Sequence, residues 1–208
     1  MELFTYFRST ASYRVRLALA YKQIAFDPKY VNLRIDEQNQ EYKNINGFGM
    51  VPALVSEAGV ISQSLAIIEY LEKIHPTPTL FLDDPLQQSQ AMAIALAISC
   101  DIHPLNNLRV LNYLTKTLNI TESQKTAWYH HWVHEGFQPI EQMLSKTAGD
   151  FCVGNTISVA DICLIPQVYN AHRFEVDMSP YPIIERINNF VLALDWTKPA
   201  IPEAQYDA

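Results

Sequence analysis

The chain has 208 residues, of which 49% are hydrophobic, so it is long and apolar enough to bury a sizeable core and is not expected to be disordered. Its formal net charge of −7 argues against nucleic acid as a partner, because phosphate binding needs a basic face. The sequence has no uninterrupted apolar run of the ~18 residues that a membrane span needs, so we predict no membrane contact. The three cysteines lack metal-ligand spacing and cannot all pair. We therefore predict a cytoplasmic protein with free thiols and no metal.

The first 80 residues mix strand and helix signals. Residues 3–7 are a β-prone run, residues 12–22 have helical periodicity, and residues 26–31 predict a second strand that its proline confines to an edge or a bulge. This order predicts a βαβ unit, with Ser12 or Thr10 as the possible cap of the first helix. Residues 49–55 and 60–61 predict further strands, and residues 64–74 carry an apolar helical stripe that ends before Pro76.

The pattern changes after a predicted linker at residues 83–85. Nearly everything beyond it has helical periodicity, in segments near 87–118, 122–146, 158–171 and 180–194. We therefore predict an α/β domain over residues 1–82, followed by an all-helical domain over residues 88–208.

Ser9 and Thr10 lie where the first strand meets the first helix. Hydroxyl side chains at a helix amino terminus can simply be caps. They can also belong to a site for a thiolate or another anion, because exposed amides, the helix dipole and a hydroxyl donor all favour negative charge there.

Two further features lie at element boundaries. The Val51-Pro52 bond stands at the entrance of a strand and is either an ordinary turn or a cis bond that lets Val51 pair with an extended peptide ligand. Ser64 follows Gln63 at the predicted start of a helix, where it is either a plain cap or part of a site for a carboxylate.

These features together resemble the glutathione transferases, whose thioredoxin-like amino-terminal domain is followed by an all-helical one. The resemblance is to the zeta class in particular, and it rests on four blocks spread over most of the chain: YFRSTASYRVRLAL (6–19), QSLAIIEYLEKIHPTP (63–78), CDIHPLNNLRVL (100–111) and SVADICLIPQVYNAHRF (158–174). Ala11 departs from the class, in which many members have cysteine at this place, and residues 46–49 depart from the usual loop before Val-Pro.

The resemblance implies glutathione as the cofactor, a homodimer, and a role for individual residues. Ser9 and Thr10 would be catalytic by facing the glutathione sulfur, with Ser9 preferred. The cofactor-binding residues that it implies are Ser9, Thr10, Gln38, Val51, Gln63, Ser64, His103, Asn107 and Arg109.

Arg8, Arg109 and Arg173 are cations inside the matching blocks of an acidic protein. Surface arginines are often solvated or paired, but the guanidinium fork also suits a carboxylate, and a dicarboxylate needs more than one such partner. The activity implied by the resemblance has such substrates: glutathione-dependent cis–trans isomerisation of maleylacetoacetate, or alternatively of maleylpyruvate. A transferase or dehalogenase acting on small α-halo acids, and a non-catalytic interaction module, remain as other hypotheses.

Two remaining motifs favour structural roles. Ser158 and Asp161 have the spacing of a capping box, so we interpret Asp161 as structural. His130, His131 and His134 lack a supporting carboxylate or cysteine, so we predict a solvated face and no metal.

Overall fold

The computed structural model describes residues 1–32 and 36–208, with the backbone alone for residues 36–39. Its contacts divide the chain into two units, Met1–Leu80 with Leu194–Ala208, and Phe81–Ala193. Among the helices within these ranges, none is both long enough and apolar enough to cross a membrane.

The first unit is built on a mixed four-stranded sheet. Its strands are β1 (Glu2–Thr5), β2 (Asp27–Tyr30), β3 (Ala53–Ser56) and β4 (Gly59–Ser62), in the order β2-β1-β3-β4. β1 runs parallel to β2 and antiparallel to β3, and β3 forms a hairpin with β4. Pro28 therefore lies on an edge strand, as predicted, where the missing N–H leaves no gap in the interior of the sheet.

Three helices accompany this sheet: α1 (Thr10–Tyr21), α2 (Asp36–Lys43) and α3 (Ser64–Ile74). α1 is the crossover of the predicted βαβ unit, since it connects the parallel strands β1 and β2. The core between helices and sheet consists of fully buried side chains from β1, β3, α1 and α3, namely Leu3, Val15, Leu19, Leu54, Ile67 and Leu71. Burial of each contributes about 1.5–3 kcal/mol, and together they hold α1 and α3 against the sheet.

The final segment, Leu194–Ala208, groups with the first unit, whereas the sequence prediction included it in the helical domain. The reason is a set of contacts across long sequence separations. Trp196 packs edge-on against Tyr21 of α1, the guanidinium of Arg16 donates to the carbonyl of Ala200, and Asp207 accepts from the backbone of Phe7. The segment contains two short 3-10 turns, Asp195–Ala200 and Pro202–Ala204.

The second unit is helical. Its helices are α4 (Pro85–Leu96), α5 (Leu108–Lys116), α6 (Glu122–Thr147), α7 (Val159–Arg173) and α8 (Pro182–Leu192). α7 is its central helix, packed against α4 and α8 and buried along most of its length. The capping box at Ser158 and Asp161 is present as predicted, and it begins α7.

The segment predicted as one helix near 87–118 is interrupted. α4 continues into a π-helical stretch, Ala97–Ile102, and then into a 3-10 turn, His103–Asn106, before α5 begins. Pro104 lies in that turn, and because proline has no backbone N–H, it cannot supply the hydrogen bond that would carry the α-helix onward. The interruption is local and was hidden by apolar periodicity on both sides.

Candidate active site

The loop between β1 and α1 presents Ser9 at the start of the helix. Ser9 is the amino-terminal cap of α1, and its hydroxyl oxygen accepts a hydrogen bond from the amide of Ser12 at 3.2 Å. The cap is therefore Ser9 rather than the predicted Ser12 or Thr10, which are both buried residues inside the first turn. A hydroxyl has one proton to donate, and in this arrangement the bond with Ser12 leaves that of Ser9 for another acceptor.

Thr10 differs from Ser9 in exposure. Thr10 is 2% exposed, while Ser9 is half-buried. Of the two hydroxyls proposed from the sequence, that of Ser9 is thus the more accessible to a ligand at this helix start.

The second helix start of this unit carries Gln63 and Ser64. Gln63 is exposed and has a φ of 72°, in the left-handed region that is sparsely populated for residues other than glycine. Its carbonyl accepts from the amide of Ile67, which makes it the cap position of α3, but its side chain makes no capping bond. Strained backbone of this kind is found preferentially at binding sites.

Ser64 is the first residue of α3 and not its cap, which removes the simpler of its two predicted roles. Its hydroxyl oxygen instead accepts from the guanidinium of Arg14 at 3.3 Å. Arg14 comes from α1 and is 1% exposed, so a buried cation lies behind the amino terminus of α3. The cation and the helix dipole both favour an anion in front of Ser64.

Val51 and Pro52 precede β3, and the bond between them is cis. This is the second of the two geometries that the sequence left open. The other predicted residue of this unit, Gln38, falls within α2, but its side chain lies outside the described part of the chain.

In the second unit, His103 and Asn107 bracket the 3-10 turn before α5. Asn107 caps α5 by accepting the amide of Arg109 at 3.1 Å, and Arg109 is exposed in the first turn of that helix. The turn is tied to α6 by two bonds: the indole of Trp128 donates to the carbonyl of Leu105, and the side-chain amide of Asn106 donates to the carbonyl of Tyr129. The interruption of the α4 segment therefore has a fixed geometry that displays both His103 and Asn107 at partial exposure.

Arg173 is the last residue of α7. It is exposed, and its guanidinium lies over the ring of Phe174 at 4.7 Å, which in turn stacks on Tyr129 with 3.9 Å between ring centroids. Burial raises the pKa of the Tyr129 phenol, and the charge of Arg173 opposes that rise. Arg8 has a similar setting in the first unit, exposed and 4.8 Å from the ring of Phe7.

The aromatic faces limit the motion of these two guanidinium groups. Arg8 and Arg173 are thus both exposed cations that lie against an aromatic ring.

Two arginines of α1, Arg14 and Arg16, were not predicted from the sequence as residues of the site. Each is 1% exposed, and charged residues are almost never so buried unless they are paired. Arg14 donates to Ser64, 50 residues away, and Arg16 donates to Ala200, 184 residues away, as well as to the nearer carbonyl of Phe7, so no local pattern identifies these partners. The one available signal was their place on a helix whose other residues are mostly small or apolar.

Among the residues that the structure describes, no group of three or more histidine, cysteine, aspartate or glutamate side chains could hold a metal ion. The three histidines of α6 instead have neighbours within the second unit. His130 contacts the carbonyl of Phe174 at 2.7 Å, His134 contacts the hydroxyl of Tyr181 at 2.7 Å, and His131 packs against Trp132. They are thus more engaged than the solvated face that the sequence suggested.

Comparison with known proteins identifies the family. Residues 8–74 match the model of the glutathione S-transferase amino-terminal domain. A probable maleylacetoacetate isomerase of Vibrio cholerae is 44% identical over 209 aligned residues, which cover 99% of this chain and 97% of the relative. A holo structure of maleylpyruvate isomerase, described as a bacterial glutathione S-transferase of the zeta class, has a TM-score of 0.96 at 39% identity, with both chains covered in full.

A maleylacetoacetate isomerase structure from Methylobacterium extorquens, with bound malonate and glutathione, has a TM-score of 0.95 at 33% identity and covers 100% of this chain and 99% of the other. The fold therefore defines a glutathione transferase, with its thioredoxin-like and helical parts, as predicted. The chain belongs to the zeta class of that family.

Proposed function

We propose that the protein is a glutathione-dependent isomerase that converts maleylacetoacetate to fumarylacetoacetate in the breakdown of tyrosine and phenylalanine. The observation that carries the proposal is the full-length similarity to isomerases of this substrate, joined to two helix starts that suit the two ends of glutathione. Maleylpyruvate is the alternative substrate, supported by the solved isomerase that shares the whole fold.

The residues present fit glutathione. Its γ-glutamyl carboxylate would be held at the start of α3 by Gln63 and Ser64, where the buried guanidinium of Arg14 adds positive charge. Its sulfur would face the hydroxyl of Ser9, with Thr10 in a supporting role, and Val51 would pair with its backbone. We assign the remaining contacts to Gln38, His103, Asn107 and Arg109, as the family resemblance implies.

We assign the substrate's carboxylates to three exposed arginines, Arg8, Arg109 and Arg173. A dicarboxylate requires at least two cationic partners, and the forked guanidinium donates two parallel hydrogen bonds to one carboxylate. Because Arg8 and Arg173 lie against aromatic rings, less side-chain entropy is lost when they bind.

When bound, glutathione would supply a thiolate whose addition converts the cis double bond into a single bond that can rotate; elimination of the thiolate would restore the double bond in its trans form, so nothing is consumed. The Ser9 hydroxyl would donate a hydrogen bond to the sulfur and so stabilise the thiolate over the thiol. Each unit by which the pKa of a thiol is lowered corresponds to about 1.4 kcal/mol, and one hydrogen bond to a charged group is worth about 1.5–3 kcal/mol. The arginines hold the carboxylates and offset the negative charge that develops on the carbonyl oxygen.

We also propose that the enzyme is a cytoplasmic homodimer. Three free thiols, Cys152 and Cys163 buried and Cys100 exposed, are compatible with a reducing compartment. Large apolar side chains are exposed on the loop before β3 and on α4, at Phe48, Leu86 and Leu96. Light scattering of the purified protein would measure its mass directly, and a monomer at micromolar concentration would contradict this proposal.

The decisive experiment follows the absorbance decay of maleylacetoacetate, and separately of maleylpyruvate, with and without glutathione. Ser9→Ala would remove both the cap and the donor, so Ser9→Gly is the better test, because glycine at a cap costs only a few tenths of a kcal/mol. We expect Ser9→Gly to lower kcat/KM roughly 10- to 100-fold and Ser9→Thr to recover much of it. Ser89→Ala, which removes an exposed hydroxyl on α4, is the control.

The outcomes separate the hypotheses. Full activity in Ser9→Gly would keep the isomerase and move the sulfur contact to Thr10 or to the backbone. A wild type that is inactive on both maleyl substrates would contradict the isomerase hypothesis. Turnover of α-halo acids would then favour the dehalogenase, and failure to bind immobilised glutathione would favour the non-catalytic interaction module.

A further inference from the structure

Side chains from outside the loop between β1 and α1 form hydrogen bonds with its backbone just before Ser9. The backbone N–H of Phe7 donates to the carboxylate of Asp207 at 3.1 Å, and the carbonyl of Phe7 accepts from the guanidinium of Arg16 at 3.1 Å. The carbonyl of Tyr6 accepts from Arg16 and also from the amide of Ser9, at 3.4 and 3.0 Å. The conformation just before Ser9 is therefore set by groups outside the loop.

Both of those groups lead to the carboxyl-terminal segment, residues 194–208. Asp207 belongs to it, and Arg16 donates through Nε to the carbonyl of Ala200 at 3.0 Å. These bonds join residues that are 200 and 184 positions apart. The segment thus reaches the Ser9 loop twice, once directly through Asp207 and once through a guanidinium that is 1% exposed.

The segment is itself well anchored on the first unit. Thr197, Ala200 and Pro202 are buried, and Trp196 packs on Tyr21. Near its end, the side-chain amide of Gln205 donates to the carbonyls of Pro199 and Ile201, which closes the last turn just before Asp207. The position of Asp207 therefore follows from contacts made by residues before it.

Asp207 directs one of its two carboxylate oxygens at the loop that leads into Ser9. One of its oxygens accepts from Phe7, and the other is buried without a hydrogen-bond partner among the described residues. The bond to the loop therefore uses one of the two carboxylate oxygens of Asp207.

We propose that the carboxyl-terminal segment is part of the glutathione site, and that Asp207 is a positioning residue that holds the Phe7–Ser9 backbone so that the Ser9 hydroxyl stays directed at the sulfur. The proposal rests on the assignment of Ser9 to the glutathione thiol. Without the bond to Asp207, the amide of Phe7 turns to solvent and the loop gains freedom. Misplacing a catalytic group by about 1 Å can cost up to a hundredfold in rate.

The test compares three variants: Asp207→Ala and Asp207→Asn in the full chain, and a chain from which residues 206–208 are removed. The readouts are the pKa of the bound glutathione thiol, from thiolate absorbance in a pH titration, and kcat/KM for isomerisation. Asp207→Ala and the shortened chain are expected to raise that pKa by about one unit and to lower kcat/KM roughly tenfold. Asp207→Asn keeps an acceptor oxygen for Phe7 and is expected to recover most of both values.

Asp195→Ala is the matched control, since it removes one carboxylate from the same segment at an exposed position whose partner is Lys198. It should leave both readouts within twofold. Thermal unfolding of every variant separates positioning from folding: a lowered melting temperature in Asp207→Ala with an unchanged bound-thiol pKa would show a merely structural role and overturn the proposal.

Ser9→Gly separates a failure of the role proposed for Asp207 from a failure of the Ser9 assignment. If Ser9→Gly raises the bound-thiol pKa and Asp207→Ala does not, the role of Asp207 alone is overturned. If Ser9→Gly leaves that pKa unchanged, the assignment of Ser9 fails, and this role of Asp207 fails with it.

Discussion

The capping box of α7 allows the sharpest prediction of stability. Asp161 is 1% exposed and accepts three hydrogen bonds: from the amide of Cys152 at 2.8 Å, from the amide of Ser158 at 2.8 Å, and from the hydroxyl of Ser158 at 3.0 Å. Each carboxylate oxygen serves a different backbone amide. Asp161 thereby joins the loop at Cys152 to the start of the central helix of the second unit.

The expected magnitudes differ between two substitutions. Asp161→Ala leaves two buried backbone amides without acceptors, at about 1–3 kcal/mol each, while the Ser158 hydroxyl can rotate to another partner; we expect a loss of about 3–5 kcal/mol. Asp161→Asn keeps one acceptor oxygen, but either orientation of its amide turns an NH2 group toward one of the two N–H donors. Its loss should be about 1–3 kcal/mol.

Urea unfolding at equilibrium, monitored by circular dichroism, measures both free energies of unfolding. Asp150→Ala is the control, because it removes an exposed carboxylate near the same loop, and it should change the free energy of unfolding by less than about 0.5 kcal/mol. A loss below about 1 kcal/mol in Asp161→Ala, or a larger loss in Asp161→Asn than in Asp161→Ala, would refute the hydrogen-bond reasoning.

Three further predictions concern a buried ion pair, a glycine that contacts a side chain of the same unit, and a buried carboxyl group whose pKa is raised. Lys22→Met should destabilise the protein by about 3–5 kcal/mol in urea unfolding, because the Lys22 side chain is fully buried and lies 2.7 Å from Glu72, and Glu72→Gln in the Lys22→Met background should recover part of the loss. Gly136→Ala should cost about 1–3 kcal/mol, because its Cβ would come within 2.2 Å of the Ile102 side chain, and adding Ile102→Ala should make Gly136→Ala nearly neutral. Burial raises the pKa of Asp161 above its ordinary 3.8, so the folded state binds more protons than the unfolded state between 3.8 and the raised pKa. The free energy of unfolding of the wild type, relative to Asp161→Asn, should therefore fall as the pH rises through that window, and a rise there would contradict this sign.

Much of the fold followed from local pattern. Pro28 predicted an edge strand and Ser158 with Asp161 predicted a capping box, since in both cases the physical cause lies within a few neighbouring residues. The break in the helix near residue 97 was missed because apolar periodicity continues across it and only Pro104 marks the change. Patterns of this length show which face of a helix is apolar and say little about where one helical type gives way to another.

The residues of the candidate site also fall into those that local sequence could reveal and those that it could not. Ser9 and Ser64 could be found from the sequence because helix starts carry hydroxyl residues for local reasons. Arg14, Arg16 and Asp207 could not, because each acts on a partner 9 to 200 residues away. These pairings exist only once α1, α3, the loop between β1 and α1, and the carboxyl-terminal segment have come together. Buried charge in a helix signals that a partner exists, but the identity of that partner is a property of the fold.

Ser9 illustrates why the two kinds of information must be combined. Accepting the amide of Ser12 fixes the direction of its oxygen, so the residue that begins α1 also determines where a hydroxyl proton can be donated. That use as a cap does not compete with a role toward sulfur, since the cap requires the acceptor function and the thiolate requires the donor function. The hypotheses that the sequence set against each other, a plain cap and a thiolate contact, are therefore compatible in one side chain. The cap does not fix the path of the backbone leading into Ser9. That path is fixed by the hydrogen bonds that Phe7 forms with Arg16 and Asp207.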